Sequence, residues 1–281
     1  LTHAEERVNR LQVAIGTAAP SARVPLAVAR AGFLAHGLGL AHTRVRLKSV
    51  QGHNFVRRKL KLLDDPTNPV HRRALLIQVN EALENVEPVP VDFGALLNDP
   101  STAGRLLMTI AQITKFVDTR TPVRFLIAET ETGYTLLAAL WAATYFGVAD
   151  QIEISPLFET EEALVNGAHI VEEALRSSAW RDYVRRMGRI CFQFGYSDSG
   201  RYIGQLAASY QIERLRLRIG DLLARWGLSD VTVVFFDTHG ESIGRGAHPF
   251  RLADRLDYLS PAHVRNRFEE SGIVWREETS F

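Results

Sequence analysis

The sequence has little cysteine, little net charge and no long apolar run. The single cysteine, Cys191, cannot form a disulfide within the chain, which suits a reducing compartment, so we expect a cytoplasmic protein. The net charge of +1 creates no overall field that favours a nucleic acid or a membrane surface, and we expect neither as a partner. The sequence contains no apolar run of roughly 18 or more residues, which is what a membrane-spanning helix needs.

Several familiar catalytic signatures are also missing. The sequence contains no GxxxxGK[ST], HExxH, GxSxG or paired CxxC motif, and residues 195–204 lack the close GxG spacing of a dinucleotide site. The first residue is leucine rather than methionine, so we expect the chain to be a piece of a longer protein. Its hydrophobic content of 46% is enough for one large core.

The hydrophobic pattern predicts strands that alternate with helices from residue 122 onward. Such alternation indicates parallel pairing through crossover helices, and it suits either a barrel or an open doubly wound sheet. The predicted strands are an early one near Thr43 and Val45, followed by 123–127, 151–155, 190–194 and 231–236. The predicted helices are 4–15, 24–37, 54–63, 70–84, 101–117, 134–145, 161–176, 180–187 and 202–225, with a polar turn at 195–200.

Chemically capable side chains follow the carboxyl end of each later strand. In a barrel these ends converge on the face where active sites lie. Carboxylates there suit Mg²⁺ or Mn²⁺, and arginines with glycine-rich backbone suit phosphate or carboxylate groups. The residues are Glu129, Glu159, Ser197, Asp198, Ser199, Arg201, Asp237, His239, Glu241 and Arg245.

Helix capping is the alternative explanation for these polar residues. Taken singly, Glu129, Asp237 and Glu241 are better explained as caps or loop charges. Glu159, Asp198, Arg201 and Arg245 together favour a functional site. His239 is open to either interpretation, general base or loop histidine.

The early strand carries two arginines of a different kind. Arg44 and Arg46 alternate with Thr43 and Val45, so at least one arginine points inward if the strand belongs to a closed sheet. An inward arginine is costly without an anionic partner, which indicates either a bound anion or an internal carboxylate.

Three segments resemble phosphoenolpyruvate carboxylases. Residues 156–160 read PLFET, residues 195–204 read GYSDSGRYIG, and residues 236–249 resemble the family's glycine-rich loop FHGRGGSIGRGGAP. Residues 40–49 match more weakly a family strand that ends in LDIRQxS, which aligns Arg46 with the family's arginine.

The resemblance implies an α/β fold, the (β/α)₈ TIM-type barrel, as one domain over residues 1–281 with a helical 50–120 region inserted and with the family's terminal parts absent. It implies a lyase that carboxylates phosphoenolpyruvate with bicarbonate to give oxaloacetate and phosphate, and we further expect a homo-oligomer. By resemblance, Glu159 and Asp198 hold Mg²⁺ (or Mn²⁺). The implied catalytic residues are Arg245, Arg201 and Arg46, and the implied substrate or phosphate contacts are Ser197, Ser199, Gly244, Gly246 and His239.

The match departs from the family pattern at several positions. Arg201 replaces a lysine and Tyr202 an aspartate, while Asp237 and His239 replace the first histidine and arginine of the loop. Glu241 adds negative charge where anions should bind, and the family's TAHPT motif is absent. These departures leave two alternatives open: a catalytically impaired homologue that binds or senses a phosphorylated or carboxylated metabolite, and a barrel enzyme acting on another phosphorylated acid.

Overall fold

Six parallel strands form one sheet in the computed structural model, which describes residues 4–37, 42–66, 68–118, 121–237 and 251–279. The strands lie in the sheet in their order along the chain, so that each pairs with the next. They are β1 (Arg44–Lys48), β2 (Val123–Ala128), β3 (Ile152–Phe158), β4 (Arg189–Phe194), β5 (Thr232–Asp237) and β6 (Trp275–Thr279).

Helices connect the strands and confirm the predicted parallel α/β class. Two helices precede β1, four lie between β1 and β2, and the rest cover the later strands. They are α1 (Ala4–Thr17), α2 (Pro20–His36), α3 (Ser49–Leu60), α4 (Pro69–Glu84), α5 (Phe93–Asn98), α6 (Thr102–Phe116), α7 (Gly133–Tyr145), α8 (Glu161–Leu175), α9 (Ser178–Met187), α10 (Tyr196–Ile203), α11 (Gln205–Arg225), α12 (Leu252–Leu259) and α13 (Ala262–Glu270).

Alternate side chains give the sheet two different faces. Ile154, Phe192 and Phe235 point to the outer face, where they join the apolar core against the helices. Arg124 and Glu153 point to the inner face, where charged groups meet. The period of two along each strand therefore separates an apolar layer from a charged one.

The sheet is strongly curved around its inner face. In a flat sheet, β1 and β6 would lie five strand spacings apart, or about 24 Å. Instead, Arg44 Nη2 of β1 lies 3.6 Å from Glu278 Oε2 of β6, and the Arg44 guanidinium stacks on the Phe236 ring at 3.9 Å. No ladder joins β1 to β6 within the described ranges, so the closed eight-stranded barrel remains a prediction.

Several local elements differ from the sequence prediction, which also lacked helices α5, α12 and α13. Strand β6 was missed because its Trp-Arg-Glu-Glu-Thr sequence has no apolar alternation. The predicted polar turn at 195–200 is helical and belongs to α10. The acidic Asp198 suits a first helical turn, and the helix ends only at Gly204, whose φ of 85° favours glycine.

A buried ion cluster ties α11 to the outer face of the sheet. Arg216 contacts Asp237 of β5, and its Nη2 donates to Glu277 Oε1 of β6 at 2.7 Å. Burial raises the pKa of Asp237 well above its usual value. Burial also acts to raise the pKa of Glu277, but Arg216 and hydrogen bonds outweigh it and leave that pKa lowered. The cluster thus places one arginine between two carboxyl groups whose pKa values are shifted in opposite directions.

The described helices include none that combines the length and the apolar character needed to cross a lipid bilayer.

Replacing Arg216 by methionine should destabilise the fold. The substitution leaves Asp237 and Glu277 buried without their cation, which typically costs about 3–5 kcal/mol. Urea unfolding followed by circular dichroism measures the difference. Arg214→Met on the exposed side of the same helix is the matched control, and an equal effect of both substitutions would contradict the structural role of Arg216.

Candidate functional site at the carboxyl ends of the strands

Glu159 lies directly after β3 and is 7% exposed. The start of α10 covers it, because the Gly195 amide donates to the Phe158 carbonyl at 3.0 Å. A β-carbon at residue 195 would lie 2.8 Å from the Glu159 β-carbon. The glycine of the GYSDSG segment therefore lets α10 approach the end of β3.

Two groups from neighbouring strands contact the Glu159 carboxylate. Arg46 Nη2 of β1 donates to Oε2 at 3.4 Å, and the Glu129 amide beyond β2 donates to Oε1 at 3.3 Å. Glu129 has a φ of 59°, which is uncommon for a residue other than glycine. This backbone turn directs its amide to Glu159, so strands β1, β2 and β3 meet at one carboxylate.

The electrostatics of Glu159 also involve Asp198. Burial is the main cause that raises the pKa of Glu159. The Arg46 charge opposes this shift, whereas the negative charge of Asp198 adds to it, and Glu129 adds a smaller contribution. Asp198 thus lies close enough to Glu159 to repel it. The two carboxylates lie at the same carboxyl end of the sheet, and we call the region around Glu159, Asp198 and Arg46 the mouth.

The other residues predicted on α10 differ in accessibility. Arg201 is exposed, and its Nη2 lies 3.6 Å from Asp198 Oδ1. Ser197 is half-buried next to Asp198. Ser199 is fully buried and its hydroxyl donates to the Gly195 carbonyl at 2.8 Å, which is a structural role inside the helix.

Lys48 is a site residue that the sequence reasoning missed. Its Nζ lies 2.9 Å from Glu129 Oε1, so it adds a second cation to the mouth. The sequence contains a pattern that could have identified Lys48, because Arg44, Arg46 and Lys48 occupy alternate positions of β1 and share the inner face. The internal carboxylates expected for inward arginines are Glu278 for Arg44 and Glu159 for Arg46.

Five of the residues singled out from the sequence lie outside the described residues: His239, Glu241, Gly244, Arg245 and Gly246. The neighbouring Asp237 is described: it is the last residue of β5 and is buried against Arg216 on the outer face, so it is neither a helix cap nor a loop charge. Cys191 is also buried, and burial raises the pKa of its thiol, which suits packing rather than nucleophilic chemistry.

The donor set at the mouth suits a magnesium ion. The described part of the chain holds no group of three or more histidine, cysteine, aspartate or glutamate residues that could bind a metal by themselves. Mg²⁺ is commonly bound by one or two carboxylates, with waters and substrate oxygens completing its six ligands. Glu159 and Asp198 repel each other across the mouth and match that pattern.

The fold and this mouth define the class: a parallel α/β protein with carboxylates and cations gathered at the carboxyl ends of its strands. The sequence model of the family "Phosphoenolpyruvate carboxylase" matches residues 36–253. The chain therefore belongs to the phosphoenolpyruvate carboxylase family.

Individual relatives agree with the family match over shorter stretches. The chain is 33% identical over 133 residues to the phosphoenolpyruvate carboxylase of Synechococcus sp. (strain WH7803), covering 46% of this chain and 13% of the relative. It is 35% identical over 124 residues to that of Mycobacterium leprae (44% and 13%). It is 31% identical over 107 residues to phosphoenolpyruvate carboxylase 1 of Zea mays (38% and 10%). The matched regions therefore span about a tenth to an eighth of these relatives.

Replacing Glu159 by glutamine should stabilise the protein at neutral pH. The raised pKa means that the folded state holds the Glu159 proton more tightly than the unfolded chain does. The wild type therefore loses stability relative to the variant as the pH rises through the ordinary glutamate pKa of about 4.3 and on through the raised value. Unfolding free energies measured between acid and neutral pH test this.

The control is Glu87→Gln at an exposed loop position, which shows how the loss of one surface carboxylate by itself changes the free energy of unfolding. If the free energy of unfolding of Glu159→Gln does not increase relative to that of the wild type as the pH rises, the result would contradict the assigned environment of Glu159.

Proposed function

We propose that the chain carries the metal-binding part of a phosphoenolpyruvate carboxylase. The reaction joins the bicarbonate carbon to C3 of phosphoenolpyruvate and transfers the phosphoryl group from the enol oxygen to a bicarbonate oxygen. Oxaloacetate and phosphate are the products. The observation that carries the proposal is the convergence of Glu159, Asp198 and Arg46 on one mouth, in a chain that belongs to this family.

Glu159 and Asp198 are the proposed magnesium ligands. Bound there, Mg²⁺ would supply positive charge that stabilises the negative charge developing on the substrate oxygen. The chain's own contribution is to hold the carboxylates in place. The Glu129 amide and Arg46 orient Glu159, and the start of α10 brings Asp198 beside it.

The cations of the mouth are the proposed anion contacts. The Arg46 side chain is 58% exposed although it touches Glu159, so part of its guanidinium can face a substrate carboxylate or phosphate. Lys48 and Arg201 are also exposed and are held near the mouth by Glu129 and Asp198. These three cations would offset the charge of an anionic substrate entering beside two carboxylates.

A metabolite-binding homologue without turnover is the second candidate. One observation favours it: Asp237, at the position that resembles the family's loop histidine, is buried on the outer face against Arg216. Its side chain therefore cannot contribute to the mouth. This candidate keeps the metal ligands and the cations but lacks one group of the reaction site.

A coupled assay tests the first candidate. With Mg²⁺, phosphoenolpyruvate and bicarbonate, oxaloacetate formation is followed by its NADH-dependent reduction. Asp198→Asn should lower turnover by at least about 100-fold, because it removes a ligand of an ion that provides several kcal/mol of charge stabilisation. Asp182→Asn, at an exposed position on α9, is the matched control and should leave turnover unchanged.

The possible outcomes separate the candidates. Mg²⁺-dependent binding of phosphoenolpyruvate in calorimetry without any oxaloacetate formation would reject carboxylation and support the second candidate. Turnover of a different phosphorylated acid in a substrate screen would support another reaction at the same mouth. The absence of both phosphoenolpyruvate binding and turnover would reject both proposals.

A further inference from the structure

A second cluster of charges lies at the amino ends of β1 to β4 and extends to Glu278 of β6. Arg124 of β2 is 1% exposed, with its Nε 3.0 Å from Glu153 Oε2 of β3 and its Nη atoms on Glu278 of β6. Arg189 of β4 also contacts Glu153. Arg124 is therefore fully engaged by two carboxylates, each of which it shares with another arginine.

Positive charge exceeds negative charge in this cluster. Three arginines, Arg44, Arg124 and Arg189, share the two carboxylates of Glu153 and Glu278 inside the sheet. Arg276 of β6 lies on the same face as Glu278. Burial, and after it the charge of Arg124, lowers the pKa of Arg44, as expected where cations are crowded. Arg276 lines the same region and makes no ion pair or hydrogen bond with any described residue. An anion of charge −2 would balance the cluster.

A cavity of about 410 Å³ opens beside these arginines. Arg124, Arg189 and Arg276 line one side, together with Glu278. The opposite wall is apolar and comes from α1 and α2, including Phe33. This volume is in the range of small-molecule sites.

The His42 ring lies in the same cavity wall. Its Nε2 donates to the Pro122 carbonyl at 2.7 Å, which fixes the ring. Burial is the main cause that lowers the pKa of His42, so the ring is neutral at neutral pH. The arginines therefore provide the positive charge of the cavity at that pH.

We propose that this cavity, between the α1–α2 pair and the amino ends of the strands, binds a small phosphate-bearing dianion. The planar guanidinium group donates paired hydrogen bonds that match phosphate oxygens, and several arginines converge here. The cavity is lined by Arg124 and Arg189 at the amino ends of β2 and β4, whereas Glu129 and Glu159 of the mouth follow the carboxyl ends of β2 and β3. The site is thus distinct from the proposed carboxylation site and does not depend on that proposal.

Inorganic phosphate is the probe that tests the site. Titration of the chain with phosphate in a chloride buffer, followed by calorimetry, should show saturable binding. Arg276→Gln should weaken that binding about tenfold or more, because it removes a charge-assisted contact. Arg276→Lys keeps the charge without the paired donors and should fall between the wild type and Arg276→Gln.

Two controls locate the bound phosphate. Arg73→Gln removes an exposed arginine of α4 and should leave the affinity unchanged. Arg46→Gln removes a cation of the mouth, so it should weaken any phosphate bound at the mouth but leave the affinity of a site at the amino end unchanged. A loss of affinity in Arg46→Gln alone would assign the phosphate to the mouth and overturn the proposal.

Two further results would overturn the proposal. One is an absence of saturable binding by the correctly folded wild-type chain, with folding checked by circular dichroism. The other is binding of a dicarboxylate such as succinate without competition from phosphate, which would assign the cavity to a different class of anion.

Discussion

The ion pairs of Arg124 across the inside of the sheet are the constraint on which the arrangement of the other charges depends. Arg124 holds Glu153 on the neighbouring strand and Glu278 on the last strand at the same time. β2 and β6 are four positions apart in the sheet, so these contacts require strong curvature. Because a buried arginine without carboxylates is very costly, the pairing and the curvature stabilise each other.

This curvature gives the two ends of the strands different chemistry. At the amino end, Arg124 and Glu153 are buried, and their partners Glu278 and Arg189 are partly exposed. At the carboxyl end, Glu159 is nearly buried while its cation Arg46 stays half exposed. An exposed cation beside a buried carboxylate remains able to contact a ligand, whereas the buried Arg124 stabilises the fold. The position of each pair relative to solvent therefore separates structural charges from candidate functional ones.

Much of this organisation was predictable from local patterns. Five of the six strands and the parallel connections follow from apolar runs and their helical spacers. The placement of Glu159 after β3 and Asp198 after β4 follows from their positions after strand ends. Strand β6 was not predictable in this way, since Arg276, Glu277 and Glu278 leave no apolar signal. The helical state of the GYSDSG segment was also missed, because serine and glycine suit turns equally well.

The sequence by itself determined the class of fold, the family and the order in which polar residues follow the strands. Those features depend on spacings of a few residues or on short motifs. The tertiary structure alone decided which charges meet. Arg124 and Glu278 are 154 positions apart along the chain, and Asp237 faces a helix rather than the mouth. The path of the chain and the bend of the sheet set such contacts, and no local periodicity records them.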